Sequence, residues 1–207
     1  MMKVIVITPP EFVAYEAEII RILLCEGADR VHLRKPESSE NDFRRLVKAV
    51  PEQFRKRLTF QDHLPLAAEY GAGGVHLNAR NHRVPDGFCG LVSRSCHSFV
   101  EVAEYSGQSD YLFLSPIFDS ISKQGYRSHF SEGQLLEAGH NGILGPKVIA
   151  LGGILPEHMP LLGKYGFGGA AFLGYVWKDV TPEAAAKRIM AIRKMAESDK
   201  NGFTTVQ

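Results

Sequence analysis

Short apolar runs alternate with helical segments along almost the whole chain, and this alternation constrains the fold more than any other feature. Lys3–Ile7, Asp29–Leu33, Leu58–Phe60, Gly73–Leu77, Gly90–Arg94, Tyr111–Leu114, Lys147–Leu151 and Gly168–Leu173 read as strands, most of them apolar enough to be buried on both faces. Between them, Phe12–Cys25, Ser39–Val50, Leu64–Tyr70, Ser98–Tyr105, Ser131–His140, Leu155–Tyr165 and Pro182–Ala196 read as helices, while a polar loop, Asn78–Asp86, follows the fourth strand. Ser39 is placed to cap its helix, Gly27 to close the first one, and Pro156 fits a first turn. Eight strand–helix units without a linker between halves demand right-handed crossovers and a parallel sheet. Eight units is the count of a single (β/α)8 TIM barrel, and 207 residues lie at the short end of its range. An open doubly wound sheet is the alternative, and it rarely needs eight units at this length. We therefore expect one TIM-barrel domain over residues 1–198 and a frayed tail over 199–207.

Charge and cysteine usage exclude several classes of function. A net charge of +1 gives no electrostatic handle for nucleic acid or an anionic membrane. Three cysteines, Cys25, Cys89 and Cys96, are too few and too irregularly spaced for a disulfide framework or a zinc motif. No apolar run approaches a bilayer span, and Lys3–Ile7 follows no signal-peptide pattern, so a cytoplasmic location is expected.

In such a barrel the chemistry gathers at the carboxyl ends of the strands. Those ends here carry Thr8, Arg34-Lys35, Gln61-Asp62, His76 with Asn78, Ser95 with His97, Ser115, Gly152-Gly153 and Gly174. Arg34 can grip an anion bidentately or serve as a salt-bridge partner for a neighbouring loop, and Lys35 reads as its solvated neighbour. Asp62 is either a hard oxygen ligand for Mg²⁺ or the N-cap of the segment that follows. His76 and His97 read as structural or, for His97, solvent-exposed; His32 shares a strand face with Arg34 and points into the same pocket if Arg34 does. Gly152, Gly153 and Gly174 either let backbone N–H groups approach a phosphate or serve close packing. The stretch Asp110–Gly125 runs from an apolar strand through Ser115-Pro116 into a loop with Ser120, Ser122 and Lys123, which is either an anion site or a solvated surface loop.

Taken in order, these pieces resemble the family of thiamine phosphate synthase and its relative, the thiazole tautomerase. Val31-His-Leu-Arg34 resembles the family's Gln-x-Arg strand end, Gln61-Asp62 its Asn-Asp, Gly74-Val-His-Leu77 its Gly-Val-His-Leu, and Ser95-Cys-His97 its Ser-x-His. Asp110 to Lys123 resembles Asp-Tyr-x-x-x-Gly-Pro-x-Phe-x-Thr-x-Thr-Lys, and Val148 to Ile154 resembles Ala-x-Gly-Gly-Ile. The resemblance implies coupling of a pyrimidine methyl pyrophosphate to a thiazole phosphate with release of pyrophosphate. It implies that Arg34 and Lys123 supply positive charge, that Asp62 holds Mg²⁺ and that Ser95 lies near the pyrophosphate. By the same carry-over, His32 stands on the pyrimidine side, and Gln61, His76 and Ser115 line the substrate. Ser120, Ser122, Gly152, Gly153 and Gly174 hold the thiazole phosphate. An oligomer is implied by the resemblance alone.

The chain also departs from the pattern. Asn81 stands where the family has its second metal carboxylate and is a weaker ligand. Pro36 replaces a lysine of the pyrophosphate clamp, His32 a glutamine, Gln61 an asparagine, Ser115 a glycine and Gly174 a serine. Pro116 stands where the tautomerase has its histidine. The losses fall on the pyrophosphate and metal side. Besides a divergent synthase, two readings stay open: a metal-free thiazole phosphate tautomerase using His32 or His76 for proton transfer, and a non-catalytic binder of a phosphorylated thiazole.

Overall fold

Parallel strands that are apolar on both faces must be covered on both, and closing the sheet into a ring covers the inner one. The computed structural model describes residues 1–119 and 130–198. Its eight strands are β1 (Lys3–Ile7), β2 (Arg30–Leu33), β3 (Leu58–Phe60), β4 (Gly74–Leu77), β5 (Leu91–Cys96), β6 (Tyr111–Leu114), β7 (Val148–Ala150) and β8 (Gly169–Phe172). They pair in chain order, all parallel, and β8 closes on β1. This is the expected (β/α)8 barrel.

The helices are α1 (Glu16–Glu26), α2 (Glu40–Ala49), α3 (Leu66–Glu69), α4 (Phe99–Tyr105), α5 (Glu132–His140), α6 (Met159–Lys164) and α7 (Pro182–Ser198). Their starts follow side-chain chemistry. Ser39, Ser98 and Ser131 each accept a hydrogen bond from the backbone N–H three residues on, at Asp42, Glu101 and Gln134. The N–H of Gly27 closes α1 on the Leu23 carbonyl, at a φ of 141° that favours glycine. The crossover after β4, residues 78–90, is the expected polar loop and holds no helix, so the count of eight strand–helix units needs correction. The segment beginning at Leu155 is a 3₁₀ turn, Pro156–His158, followed by the short α6, and a further 3₁₀ turn over Glu52–Arg57 was not foreseen.

Two apolar layers result. Outward side chains such as Val4, Val6, Leu33, Phe60 and Leu114 pack under the helices. Inside the ring, Ile5, Ile7, Tyr111, Phe113, Ile149 and Ala171 form a separate cluster, with Leu151 and Leu173 half-buried at its edge. That cluster fills only the sector from β6 round to β1. No helix among the described residues is long and apolar enough to cross a membrane.

Lys35 is not a solvated neighbour of Arg34, contrary to expectation. Its side chain is fully buried, and its ammonium lies 2.6 Å from Glu16 Oε1, with donated hydrogen bonds of 2.8 Å to the Pro9 carbonyl and 2.7 Å to the Glu11 carbonyl. The Phe12 ring lies 4.8 Å from the ammonium. Burial lowers the Lys35 pKa and raises that of Glu16, while their mutual attraction opposes both shifts. The ammonium therefore gathers the loop between β1 and α1 over the second strand end. Removing one partner of such a pair strands the other charge, so Lys35→Met should lower the unfolding free energy by about 3 kcal/mol in urea denaturation. A loss well below about 1 kcal/mol would show that the pair is solvated after all.

Candidate active site

Barrel interiors are usually filled by branched apolar side chains. In this chain the sector from β2 to β5 is filled instead by Arg30, His32, Thr59, Gln61, His76, Ser93 and Ser95, which meet Tyr111 from β6. Buried polar groups are tolerated only when they are hydrogen-bonded, and these are. Arg30 Nε donates to Thr59 Oγ1 at 3.0 Å, Thr59 Oγ1 lies 3.4 Å from Tyr111 Oη, and Tyr111 Oη lies 2.7 Å from His32 Nε2. Gln61 Nε2 donates to His32 Nδ1 at 3.1 Å. An amide nitrogen can only donate, so His32 carries its proton on Nε2 and gives it to Tyr111. His76 Nδ1 is 2.8 Å from Ser93 Oγ and Nε2 is 2.8 Å from Ser95 Oγ. Ser93 Oγ spends its own hydrogen on the Val75 carbonyl, so His76 donates from Nδ1 and accepts from Ser95 at Nε2.

Both imidazoles are neutral. Burial pushes His32 well below the ordinary histidine value, helped by His76 and Arg30. Burial also lowers His76 to about 3, helped by Arg80 and Arg94. Burial raises the Tyr111 phenol, while Ser93, Thr59 and Arg30 pull it back. His32 and His76 are 0% and 1% exposed. They lie beneath the mouth, stacked on Phe113 at 4.8 Å each. Gln61 and Ser95, which bond them, stand nearer the carboxyl ends of β3 and β5.

At the mouth itself, neighbouring strand ends are tied to one another. Arg34 N–H donates to Thr8 Oγ1 at 2.9 Å. The guanidinium of Arg34 is half-buried and has no hydrogen-bond or ion-pair partner among the described residues. Asp62 is 5% exposed and caps no helix. Its Oδ2 accepts the Lys35 N–H at 2.8 Å, and its Oδ1 accepts from Arg80 Nη2 at 3.1 Å and Nε at 3.3 Å. Asn81 Nδ2 donates to the Gln61 carbonyl at 2.8 Å and reaches Asp62 Oδ1 at 3.4 Å. Further round, His97 is exposed at the mouth and its Nδ1 donates to the Ser115 carbonyl at 3.1 Å.

The opposite wall is built from backbone. Ile117 N–H bonds the Leu151 carbonyl at 3.0 Å, and Phe118 N–H the Gly152 carbonyl at 3.1 Å. Gly152 and Gly153 have φ of 96° and 64°, and a Cβ on Gly153 would come within 2.5 Å of the Asp119 carbonyl oxygen. Close packing of the loops after β6 and β7 thus suffices to require these glycines. Gly174 opens the turn after β8, which is pinned by Trp177 Nε1 donating to the Ile7 carbonyl at 2.9 Å. Ser120, Ser122 and Lys123 lie outside the described residues, as does the tail expected to fray.

The structure thus joins Gln61, Asp62 and Asn81 in one bonded sector, leaves Arg34 tied by its backbone to Thr8, and pairs His32 with Gln61 and His76 with Ser95. Several participants escaped the sequence reading. Arg30, Thr59, Ser93 and Tyr111 read only as strand residues. Arg80 read only as part of a loop motif, though a cation beside the lost carboxylate at position 81 was the available signal.

The donor set at Asp62 does not fit Mg²⁺. That ion needs carboxylate or phosphate oxygens at about 2.1 Å. Here the carboxylate is neutralised by a guanidinium, and its other neighbour at position 81 is an amide that donates rather than ligates. Among the described residues no cluster of three or more His, Cys, Asp or Glu side chains could hold a metal.

Comparison with known proteins gives a consistent result. The sequence profile described as thiamine monophosphate synthase matches residues 4–176. A thiamine-phosphate synthase of Thermoplasma acidophilum is 29% identical over 184 residues, covering 84% of each chain. One from Bacteroides fragilis is 26% identical over 197 residues, covering 84% of this chain and 92% of that protein. The crystal structure of a thiamine phosphate pyrophosphorylase from Bacteroides thetaiotaomicron superposes with a TM-score of 0.86 at 37% identity, covering 95% of this chain and 98% of that one.

The histidine network predicts a pH dependence of stability. Both folded-state pKa values lie below the unfolded value, so the unfolded chain binds more protons as pH falls. The contribution is complete above about pH 6.5 and is lost progressively toward the folded value. For His76, which burial lowers to about 3, the loss at pH 5 is about 2 kcal/mol. Urea midpoints measured from pH 7 to 5 should fall accordingly, and His76→Gln should flatten that fall. An unchanged slope in the variant would contradict the neutral assignment.

Proposed function

The chain belongs to the thiamine monophosphate synthase family, and from that premise we propose that it couples a pyrimidine methyl pyrophosphate to a thiazole phosphate, releasing pyrophosphate. Family membership itself supports a role in thiamine biosynthesis. The observation that carries the finer reading is the Arg34 guanidinium: half-buried at the carboxyl end of β2, aimed from a barrel mouth, and without a partner among the described residues. A half-buried guanidinium with no carboxylate partner among the described residues is suited to an anion that arrives with the substrate.

The chemistry asks little of proton carriers. The bond from the pyrimidine methylene carbon to the pyrophosphate oxygen breaks, and its electron pair leaves with pyrophosphate. The thiazole nitrogen lone pair forms the new carbon–nitrogen bond, and the positive charge ends on the thiazolium ring. No proton is transferred. What the reaction needs is stabilisation of the departing charge, a fixed approach for the nitrogen, and exclusion of water. Arg34 serves the first. Gln61 and Ser95, held in orientation by His32 and His76, present polar groups to the pyrimidine side. Leu151 and Leu173 offer an apolar wall on the other. We assign Ser120, Ser122 and Lys123, with the backbone at Gly152, Gly153 and Gly174, to the thiazole phosphate on the strength of the motif.

The sealed, neutral state of His32 and His76 suits this reaction better than the tautomerase reading, which would need one of them to exchange protons with substrate. Purified protein given both substrates should produce thiamine phosphate and pyrophosphate in equal amounts. Arg34→Ala should lower kcat/KM by about 10² or more, and Arg34→Lys should recover little of it, since an ammonium cannot grip bidentately. Absence of coupling beside a working control enzyme, in Mg²⁺ and in chelator alike, contradicts the reading. Calorimetric binding of thiazole phosphate without turnover would mark a binder.

A further inference from the structure

We infer that Arg80, clamped by Asp62, is a built-in cation for the substrate's pyrophosphate and occupies the place that a metal ion would take beside that carboxylate. This rests on the coupling reading for its ligand and goes beyond it in naming the group that replaces the metal.

Four observations converge. First, Arg80 points two donors, Nε and Nη2, at a single oxygen of Asp62, at 3.3 and 3.1 Å. Second, that carboxylate is only 7% exposed at its side chain while Arg80 is 45% exposed, so the pair is anchored at the acid end and open at the basic end. Third, Nη1 of Arg80 has no partner among the described residues, and Arg80 lines a cleft of about 630 Å³ between Leu64, Pro65 and Ala68 on one side and the loop over residues 81–86 on the other, so its free edge is open to solvent. An incoming polyanion can reach it. Fourth, Asp62 Oδ2 is bonded to the N–H of Lys35, the residue after Arg34. One carboxylate on β3's end therefore ties together the strand ends that carry the two guanidiniums. β2 and β4 flank β3, so their backbones stand roughly 10 Å apart, a span that two long arginine side chains can close on one diphosphate.

Charge decides between the two cations. A divalent ion on Asp62 Oδ1 at about 2.1 Å would sit against a guanidinium bonded to the same oxygen, and like charges at that distance repel strongly in a half-buried site. Arg80 would have to leave for the metal to bind. Kept in place, it supplies a permanent positive charge that needs no recruitment, with Asn81 Nδ2 adding a donor where the family has a carboxylate.

The test is calorimetric titration of inorganic pyrophosphate into the full chain, in EDTA and in Mg²⁺. The wild type should bind in EDTA, with affinity little changed by Mg²⁺. Arg80→Gln should weaken binding in EDTA by about tenfold or more, and with Asp62 released it should make the remaining binding Mg²⁺-dependent. Arg80→Lys, which keeps the charge, should fall between the two. Thermal melting checks that the variants are folded, and the exposure of Arg80 makes that the expected result. Binding that requires Mg²⁺ in the wild type, or that is indifferent to Arg80→Gln, overturns the inference. The two readings fail separately. Coupling activity that needs Mg²⁺ leaves the reaction standing and removes the role of Arg80. Pyrophosphate bound in EDTA by a protein that never couples leaves Arg80 in place and removes the reaction.

Discussion

A closed parallel barrel has a single mouth where all its carboxyl strand ends meet, and every feature of this protein that bears on chemistry follows from that closure. Residues far apart in sequence become neighbours because β8 pairs with β1 and each strand with the next. Around most of the rim the ends are then fastened by hydrogen bonds: Thr8 to Arg34, Lys35 to Asp62, Asn81 to Gln61, His97 to Ser115, Ile117 to Leu151, and Trp177 to Ile7. The rim is thus preorganised without help from a ligand, which is the condition under which fixed charges stabilise a departing anion well.

The interior beneath the rim is divided. From β6 round to β1 it is apolar and packs like an ordinary barrel core. From β2 to β5 it is a hydrogen-bonded chain of arginine, threonine, tyrosine, histidine, glutamine and serine. Such a network is costly unless complete, and completeness fixes side-chain orientation and tautomer. Within it, His32 is hydrogen-bonded to Gln61 and His76 to Ser95. The cationic groups lie above it, on the same side of the barrel. Polar sector and cationic rim are therefore one structure, and Asp62 at that rim is already committed to Arg80.

How much of this could be read from residues alone depended on the range of the interaction. Strand bounds at β1, β3 and β6 coincide with the apolar runs, because burial on both faces leaves a local signature. Caps at Ser39, Ser98 and Ser131 are equally local. The alignment of polar residues with strand ends followed from counting units. Lys35 was misread because nothing near it in sequence announces Glu16 or the carbonyls of Pro9 and Glu11; these converge only when the loop before α1 folds back. The loop after β4 was legible from its polarity, and only the count of eight strand–helix units overlooked it. Arg80 was passed over because its meaning lies in Asp62, one strand away. The glycines at 152 and 153 were noticed correctly, but the loop packing that requires them could be seen only in three dimensions.

The central claim is that this mouth meets pyrophosphate with two arginines rather than with a metal on Asp62. A crystal structure of the protein grown with inorganic pyrophosphate and Mg²⁺ both present tests it most directly. The account predicts pyrophosphate oxygens on the guanidiniums of Arg34 and Arg80, with Asp62 Oδ1 still bonded to Arg80. A Mg²⁺ ion ligated by Asp62, with Arg80 turned away from it, would contradict the account.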